Sequence, residues 1–330
     1  MSSTARSILR WTGKALLWSV AALLVLAAFG AIYQAVATER AERAYPPPGE
    51  MVDVGGRGLH IDCVGRGSPT VVLDAGTGEM SADWALVQRD VSETTRVCAY
   101  DRAGMGWSEP GPEPRDAGRI TGELHALLED AGIDGPYVLG GHSFGGLYAQ
   151  TYAARYPEEV AGVALIESSS PEQFGHRPAA RDGREPPKRT FALASLLARI
   201  GVVRLVYKLT PAPSGLPPQQ RARIDALGPS TRQVDTTASE LGAASQSAAQ
   251  ARGLRSLGDK PLAVLSAGTQ EPEWLEMQQD LATLSSHSTH RVVPGATHTS
   301  VLYDRSDARA TSAAIVEVVA AARKDRPLAR

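Results

Sequence analysis

The chain has 330 residues, of which 43% are hydrophobic and 21% are charged, and this balance suits a globular protein with one large core. Its formal net charge is -2 at pH 7, so the sequence offers no broad basic surface for nucleic acid. The two cysteines, Cys63 and Cys98, form no cluster with neighbouring histidines, which argues against a cysteine-based metal site.

An apolar segment near the N-terminus, Ala15 to Tyr33, is long enough to cross a bilayer as a helix. Slightly more basic residues precede this segment than follow it, so the positive-inside rule predicts residues 1–14 in the cytoplasm and the rest on the far side. A cleaved signal peptide is the alternative, because Ala35-Val36-Ala37 has the small-x-small form of a cleavage site. The basic residues are Arg6, Arg10 and Lys14 before the segment and Arg40 and Arg43 after it.

Residues 34–50 are predicted to form a tether, in which the prolines at 46–48 stop any preceding helix. The folded domain is predicted to begin at Met51. Runs of apolar or alternating residues then predict eight short strands. They cover residues 51–54, 59–64, 70–73, 96–100, 137–139, 160–166, 261–265 and 291–293.

Apolar residues at helical spacing between most of these runs predict crossover helices. The predicted fold class is alpha/beta, with a mostly parallel eight-stranded sheet that carries helices on both faces. Residues 51–168 and 261–323 would form this core. Residues 169–260 contain no convincing strand and are predicted to form a helical cap, in which Phe191 to Leu209 is one strongly apolar helical piece.

The run Gly-His-Ser-Phe-Gly, residues 141–145, lies between a predicted strand and a predicted helix. A serine at such a strand-to-helix turn projects from the top of a sheet, and the tight turn requires small neighbours, which Gly141 and Gly145 supply. In a chain this rich in glycine, roughly 0.2 matches to Gly-x-Ser-x-Gly are expected by chance. The inference therefore depends on the flanking strand and helix. Ser143 is therefore the predicted nucleophile.

Two further motifs follow predicted strands, DRAGMGWS at residues 101–108 and GATH at residues 295–298. With the serine motif and the order of elements, they make residues Met51 to Ala322 resemble the alpha/beta-hydrolase superfamily. The resemblance implies a serine hydrolase of the lipase, esterase and peptidase type. The dehalogenase and epoxide-hydrolase branches of the superfamily carry an Asp at the place of Ser143.

The resemblance further implies a base and an acid that activate Ser143. His298 is the predicted base, because it follows the last predicted strand, whereas His287 and His290 precede that strand and His142 is expected to point away from the turn. His60, His125 and His176 lack a comparable context.

The acid is where this sequence departs from the family pattern. The loop after strand 261–265 contains no Asp, where the family commonly supplies one. Glu167, at the end of the preceding strand, is the first choice for the acid, and Glu271 is the alternative. Glu271 and Glu273 also have a structural explanation, since carboxylates favour the N-terminal end of a helix near Trp274.

An oxyanion hole is predicted from the backbone amides of Phe144 and Thr77. Asp101 and Arg102 are expected to form an internal ion pair that holds their loop, with no catalytic role. If the sheet has the strand order of the family, Cys63 borders Cys98 and a cross-strand disulfide becomes sterically possible.

The predicted function is hydrolysis of a small-molecule carboxylic ester by an exported, membrane-anchored enzyme that needs neither a metal nor an organic cofactor. An acyltransferase with the same triad, a non-catalytic ligand-binding protein and a peptidase are the alternatives. The apolar piece Phe191 to Leu209 suggests a hydrophobic acyl or aryl pocket, or a helix that packs on the core or lies on the bilayer.

Overall fold

The computed structural model describes residues 3–174, 188–210 and 215–324. Eight strands lie in this part of the chain, at Glu50–Asp53 (β1), Gly58–Val64 (β2), Val71–Asp74 (β3), Val97–Tyr100 (β4), Tyr137–His142 (β5), Val160–Ile166 (β6), Leu262–Ala267 (β7) and Ser288–Val293 (β8). The α-helices are Ser3–Ala44 (α1), Ala85–Ser92 (α2), Ala117–Asp130 (α3), Phe144–Arg155 (α4), Lys188–Arg199 (α5), Val202–Leu209 (α6), Pro218–Leu227 (α7), Thr231–Gly242 (α8), Ala244–Ala251 (α9), Pro272–Ala282 (α10), Ser300–Tyr303 (α11) and Arg305–Lys324 (α12).

All eight strands form one sheet in the order β1-β2-β4-β3-β5-β6-β7-β8. The β1–β2 and β2–β4 pairs are antiparallel, and every other pair is parallel. The predicted mostly parallel eight-stranded sheet is therefore confirmed. Since parallel neighbours end at the same edge, the loops after β3, β5, β6, β7 and β8 come together there.

Helices cover both faces of the sheet, as the continuous apolar strands predict. Alternate strand residues point to opposite faces, so Leu73 joins the core beneath α2 and α12, whereas Val72 joins the core beneath α3 and α4. Both side chains are almost fully buried, and each contributes roughly 1.5–3 kcal/mol of hydrophobic stabilisation. The two cores hold the strand ends in fixed positions.

The N-terminal apolar segment is part of one helix that is longer than predicted. Helix α1 includes the predicted span 15–33 and continues to Ala44, so the prediction of a tether over 34–50 is wrong for residues 34–44. The extension is helical because it packs on the globular domain, where Ala41 is buried with Trp107 and Leu227. Within the described residues, α1 is the one helix long and apolar enough by itself to span a membrane.

The described part of the predicted cap, 169–260, contains helices α5 to α9. The apolar piece Phe191 to Leu209 is two helices, not one, because the chain bends by 86° between α5 and α6. Gly201 lies at the bend with a φ of +76°, a conformation that glycine adopts without steric cost. His176 lies outside the described residues.

The two cysteines form a disulfide. Cys63 in β2 is the register partner of Cys98 in β4, and the bond joins these neighbouring antiparallel strands. The strand order thus meets the geometric condition on which the sequence-based expectation depended.

Candidate active site

Ser143 lies in a strained turn between β5 and α4. Its φ is 52° and its ψ is -122°, outside the conformations that most non-glycine residues adopt. A Cβ atom at Gly145 would overlap the carbonyl oxygen of Asp74, and one at Gly141 would approach the carbonyl oxygen of Gly145 to 2.5 Å. Only glycine fits at either place, so the motif is a consequence of close backbone approach.

His298 lies between Ser143 and Glu167. Its Nε2 atom is 3.1 Å from Ser143 Oγ, and its Nδ1 atom is 3.0 Å from Glu167 Oε2. With the proton on Nδ1 donated to the carboxylate, Nε2 is free to accept the proton of the serine hydroxyl. The structure thus brings together three residues that are separated by up to 155 positions in the chain.

Glu167 follows the last residue of β6 and is fully buried. The amide of Ala267 donates to its Oε1 atom at 2.6 Å, and the side chain of Gln270 donates to Oε2. Burial is the largest single influence and would raise the pKa of Glu167. The hydrogen bonds from His298, Ala267 and Gln270 together outweigh it and hold the pKa below its ordinary value. Glu167 is therefore a carboxylate that can stabilise a protonated His298.

Glu271 occupies a different place. It is exposed and is the N-cap of α10, where its backbone carbonyl accepts hydrogen bonds from Trp274 and Leu275. Both ring nitrogens of His298 already have partners in Ser143 and Glu167. The geometry therefore favours Glu167 over Glu271 as the acid.

The predicted oxyanion donors lie on the residue after the serine and in the loop after β3. Phe144 is the first residue of α4, so its amide points out of the N-terminal end of that helix. Thr77 lies in the loop after β3, and the start of this loop, at Asp74 and Ala75, packs against Gly145. The hydroxyl of Thr77 is buried and has no hydrogen-bond partner among the described residues. It is one of seven buried side-chain polar atoms without a partner in the described residues, where most buried polar groups are paired.

A second pair of a histidine and a glutamate, His142 and Glu79, lies next to His298 and was not predicted from the sequence. His142 does not point away from the site, because its ring centroid lies 4.9 Å from that of His298. Its Nδ1 atom is 2.9 Å from Glu79 Oε2, and its Nε2 atom is 3.0 Å from the backbone oxygen of His298. Glu79 also accepts the amide of Gly76 at 2.6 Å. This pair therefore ties the loop of Thr77 to the loop of His298.

His142 and Glu79 each favour the charged form of the other. Burial, the largest influence, would lower the pKa of His142, but the Glu79 carboxylate outweighs it and raises that pKa above the ordinary value. Burial would likewise raise the pKa of Glu79, and His142 instead holds it below its usual range. His142 directly precedes Ser143 in the sequence. This adjacency was the only sequence feature that could have predicted a position near the site.

The expected ion pair between Asp101 and Arg102 is not formed, because the two side chains have different partners. Asp101 lies 2.9 Å from His60 Nδ1 and accepts the amide of Trp107. Arg102 pairs with Asp74 at 2.8 Å and with Glu240 of the cap helix α8 at 2.8 Å. Both residues still hold loops in place, as expected.

Arg102 also reaches the loop after β3. Its guanidinium donates to the carbonyl oxygens of Ala75 at 2.6 Å and of Gly76 at 2.8 Å. One buried side chain thus joins the loop of Thr77 to the cap. This long-range role follows from a contact across 138 residues and has no local sequence signal.

His60, His125 and His290 make hydrogen bonds to side chains other than Ser143 and Glu167. His290 is inside β8, which begins three residues earlier than predicted, and its ring nitrogen is 2.8 Å from Ser266 Oγ. His125 lies 3.2 Å from Glu159. In the described ranges no three or more His, Cys, Asp or Glu side chains are grouped closely enough to hold a metal ion.

A cavity of about 620 Å³ lies between the cap and the loop after β3. The cap contributes apolar side chains such as Phe191 and Leu241, and the loop contributes Thr77 and Glu79. Ser143 and His298 do not line this cavity, which meets the site at Thr77. Its walls are largely apolar and would suit a hydrophobic acyl or aryl group.

The model of a protein family described as alpha/beta hydrolase fold matches residues 69–304. An uncharacterised protein of Schizosaccharomyces pombe is 29% identical over 230 residues, which cover 67% of this chain and 42% of that protein. The matched region covers 42% of the length of this relative and 49% of the length of a second one, from Bacillus subtilis, so the chain spans less than half of each.

Two solved structures share the fold. The Cif epoxide hydrolase of Acinetobacter nosocomialis has a TM-score of 0.69 at 13% identity, with 88% of this chain and 96% of that chain covered. A thermophilic esterase from Thermogutta terrifontis has a TM-score of 0.62 at 21% identity, with 82% and 97% covered. With the sheet order, the serine turn and the family match over residues 69–304, these findings show that the chain belongs to the alpha/beta-hydrolase family.

Proposed function

We propose that this protein is a serine hydrolase that cleaves carboxylic esters with a hydrophobic acyl or aryl group. The observation that carries the proposal is His298, which is 3.1 Å from Ser143 Oγ on one side and 3.0 Å from Glu167 on the other. A serine hydroxyl is a weak nucleophile until a neighbouring base accepts its proton, and this arrangement supplies that base.

In the first half-reaction, His298 Nε2 accepts the hydroxyl proton as Ser143 Oγ bonds to the ester carbonyl carbon. The carbonyl oxygen becomes an oxyanion, which accepts hydrogen bonds from the amides of Phe144 and Thr77. As the tetrahedral intermediate collapses, His298 donates its proton to the alcohol oxygen and the ester C–O bond breaks. The alcohol leaves, and the acyl group remains bound to Ser143.

In the second half-reaction, His298 takes a proton from water while the water oxygen attacks the acyl carbon. The bond from the acyl carbon to Ser143 Oγ then breaks, and the proton returns to that oxygen, which releases the carboxylic acid. Glu167 remains ionised throughout and stabilises the protonated imidazole in both halves. The hydrogen bonds that lower the pKa of Glu167 support this role.

The residue at the turn separates two kinds of chemistry found on this fold. The epoxide-hydrolase branch uses an Asp as its nucleophile, whereas this chain has Ser143. The thermophilic esterase shares the fold and supplies an ester-cleaving precedent. The largely apolar cavity beside Thr77 favours esters with a hydrophobic group.

We further propose that α1 anchors the hydrolase domain on the extracytoplasmic side of a membrane. Most of the apolar part of α1 is exposed to its surroundings, which would be unfavourable in water. Arg6, Arg10 and Lys14 precede the span, which favours a cytoplasmic N-terminus. The Cys63–Cys98 disulfide fits an oxidising compartment.

Activity-based labelling tests both parts of this proposal. Membranes from cells that express the full chain would be washed with alkaline carbonate and treated with a fluorophosphonate probe. We expect a labelled band in the pellet for the native chain and for Ser306→Ala, an exposed serine on α12. We expect no label on Ser143→Ala. The same preparations would be assayed with a chain-length series of nitrophenyl esters.

The two parts fail separately. Labelling that survives Ser143→Ala would contradict the assignment of the nucleophile. A Ser143-dependent band found in the soluble fraction, starting after Ala37, would instead contradict the anchor and favour cleavage.

A further inference from the structure

The cap helices α5 and α6 present an outward face that is strongly apolar. On α6 the exposed apolar residues follow the spacing of a single helical stripe, at positions i, i+3, i+4 and i+7. Leu209, the most exposed of them, has 74% of its surface open. The members of this outward face are Leu193 and Leu196 of α5 and Val202, Leu205, Val206 and Leu209 of α6.

The inward face of α6 carries a buried arginine instead. Arg204 is 5% exposed, and its guanidinium donates to Gln34 Oε1 at 2.9 Å and to Thr38 Oγ1 at 3.0 Å, both on α1. It also donates to the carbonyl oxygen of Ala226. A helix on a water-exposed surface turns its leucines inward and its arginine outward. The reversed arrangement indicates that the outward face meets an apolar medium.

The bend between α5 and α6 lies against the outer end of the apolar span. A Cβ atom at Gly30 of α1 would overlap the carbonyl oxygen of Ile200, and one at Gly201 would approach the ring of Tyr33 to 3.0 Å. Gly30 and Tyr33 lie within one helical turn of each other, or about 5 Å along the axis. The bend is therefore near the level at which α1 leaves the hydrocarbon.

Two side chains mark this level. Lys208 Nζ of α6 donates to the hydroxyl of Tyr33 at 2.8 Å and also lies over the Tyr33 ring. Tyrosine and lysine are both enriched where helices leave the hydrocarbon, because they place an apolar body inward and a polar tip outward. The pair links α6 to the interface defined by α1.

Charge supports the same orientation. The sequence of residues 188–210 contains five basic residues and neither Asp nor Glu. A basic helical segment with one apolar face binds the headgroup layer of membranes that carry anionic lipid. The basic residues are Lys188, Arg189, Arg199, Arg204 and Lys208. Arg204 is buried against α1 and Arg199 pairs with Asp235 at 2.9 Å, so these two are not offered to lipid headgroups.

The same two helices form part of the cavity wall. Phe191 and Ala194 of α5 and Tyr207 of α6 line the cavity that ends at Thr77. The outward-face residues do not line it. Helices α5 and α6 thus separate the proposed membrane surface from the cavity beside the active site.

We propose that the outward face of α5 and α6 is embedded in the leaflet that α1 enters, and that the cavity takes the acyl chain of a membrane lipid ester. This substrate class rests on the proposed function, with Ser143 attacking the lipid ester carbonyl and water releasing the fatty acid. We take lipid to cover this outward face because α1, which would span the membrane, packs against α5 and α6 and holds them at the bilayer surface.

Depth-dependent quenching tests the docking. The full chain, reconstituted in vesicles of four parts phosphatidylcholine to one part phosphatidylglycerol, would carry a single NBD label at Leu205→Cys or, as a control, at Glu129→Cys. Glu129 is an exposed residue at the end of α3. We expect lipid with a nitroxide at acyl carbon 5 to quench the Leu205 label at least threefold more strongly than the Glu129 label. Equal quenching at the two positions would overturn the docking.

Activity tests the substrate class. Leu205→Glu would be compared with Val64→Glu, which also places a carboxylate on an exposed apolar residue but lies in β2. We expect Leu205→Glu to lower hydrolysis of a long-chain diacylglycerol in the same vesicles at least tenfold, and to change hydrolysis of soluble nitrophenyl butyrate less than twofold. Val64→Glu should leave both rates within twofold of the native chain.

The outcomes separate the two proposals. Equal effects of Leu205→Glu on both esters, or a native chain that hydrolyses the butyrate and not the vesicle ester, would overturn the membrane-lipid substrate while the serine hydrolase proposal stands. Butyrate hydrolysis that does not depend on Ser143 would instead contradict the proposed function.

Discussion

Two residues of the proposed triad have a backbone conformation that is rare for residues other than glycine. Ser143 has a φ of 52° and Glu167 a φ of 46°, and they are the non-glycine residues with positive φ in the described part of the chain. The amide of Ser143 donates to Ile166 and that of Glu167 to Leu265, so neighbouring strands hold both turns. Such strain costs about 1–3 kcal/mol at each residue and persists because the surrounding structure fixes it.

At this scale, Glu167→Gln is expected to lower kcat for a nitrophenyl ester by roughly 100- to 10,000-fold, because an amide cannot offset the charge of a protonated His298. The matched variant Glu271→Gln, at the exposed N-cap of α10, should retain kcat within about twofold. Steady-state kinetics and melting temperatures of both variants provide the check. A Glu167→Gln enzyme with near-native turnover would refute its role as the acid.

Among the elements, the cap and the sheet are joined by a buried ionic cluster. Arg102, in the loop after β4, pairs with Asp74 at the end of β3 and with Glu240 of α8. Its donors also satisfy the carbonyl oxygens of Ala75 and Gly76. A residue with no chemical role in the proposed mechanism thus joins the loop after β3, which contains Thr77, to the cap.

Replacing Arg102 with methionine would leave two buried carboxylates without their partner. We expect Arg102→Met to lower the free energy of unfolding by about 3–5 kcal/mol. The control, Arg89→Met, removes an exposed pair with Asp90 and should cost no more than about 1 kcal/mol. Urea denaturation of the full chain in detergent micelles measures both. A loss at Arg102 as small as that at Arg89 would show that the cluster contributes little to stability.

For the whole molecule, stability depends on pH through a buried acidic group near the site. Burial, followed by the nearby Glu79 carboxylate, raises the pKa of Asp83 to about 7. Hydrogen bonds from the amide of Met80 and the hydroxyl of Tyr303 act in the opposite direction, and Asp101 adds to the increase. The folded protein therefore retains a proton on Asp83 that the unfolded chain releases near pH 3.8.

Between these two values the native state binds more protons than the unfolded state, so the contribution of Asp83 to stability falls as pH rises. We expect this contribution to decrease by about 2–4 kcal/mol between pH 4 and pH 7 and to level off above pH 7. Asp83→Asn, which resembles the protonated form, should remove that decrease. Urea midpoints of the two proteins at each pH unit provide the measurement, and parallel pH profiles would contradict it.

The sheet could be predicted from the sequence more completely than the surroundings of the site. Strands such as 160–166 were predictable because a doubly covered parallel strand is apolar along its whole length. His142 and Arg102 were misread because their partners are distant in the chain, at Glu79 and Glu240 respectively. The bend at Gly201 was missed because apolar spacing on both sides of it remains helical.

By itself the sequence determined the fold class, the apolar N-terminal span and the serine turn, because each depends on local periodicity or on the small size of glycine. Tertiary structure decided which glutamate meets His298, which loops Arg102 joins and which face of α6 points outward. These outcomes depend on contacts between distant segments, and local residue patterns carry no information about which distant partner a side chain will meet. The orientation of α6 is the clearest case, since its stripe of leucines and valines reads like a core-facing helix until Arg204 is found inside.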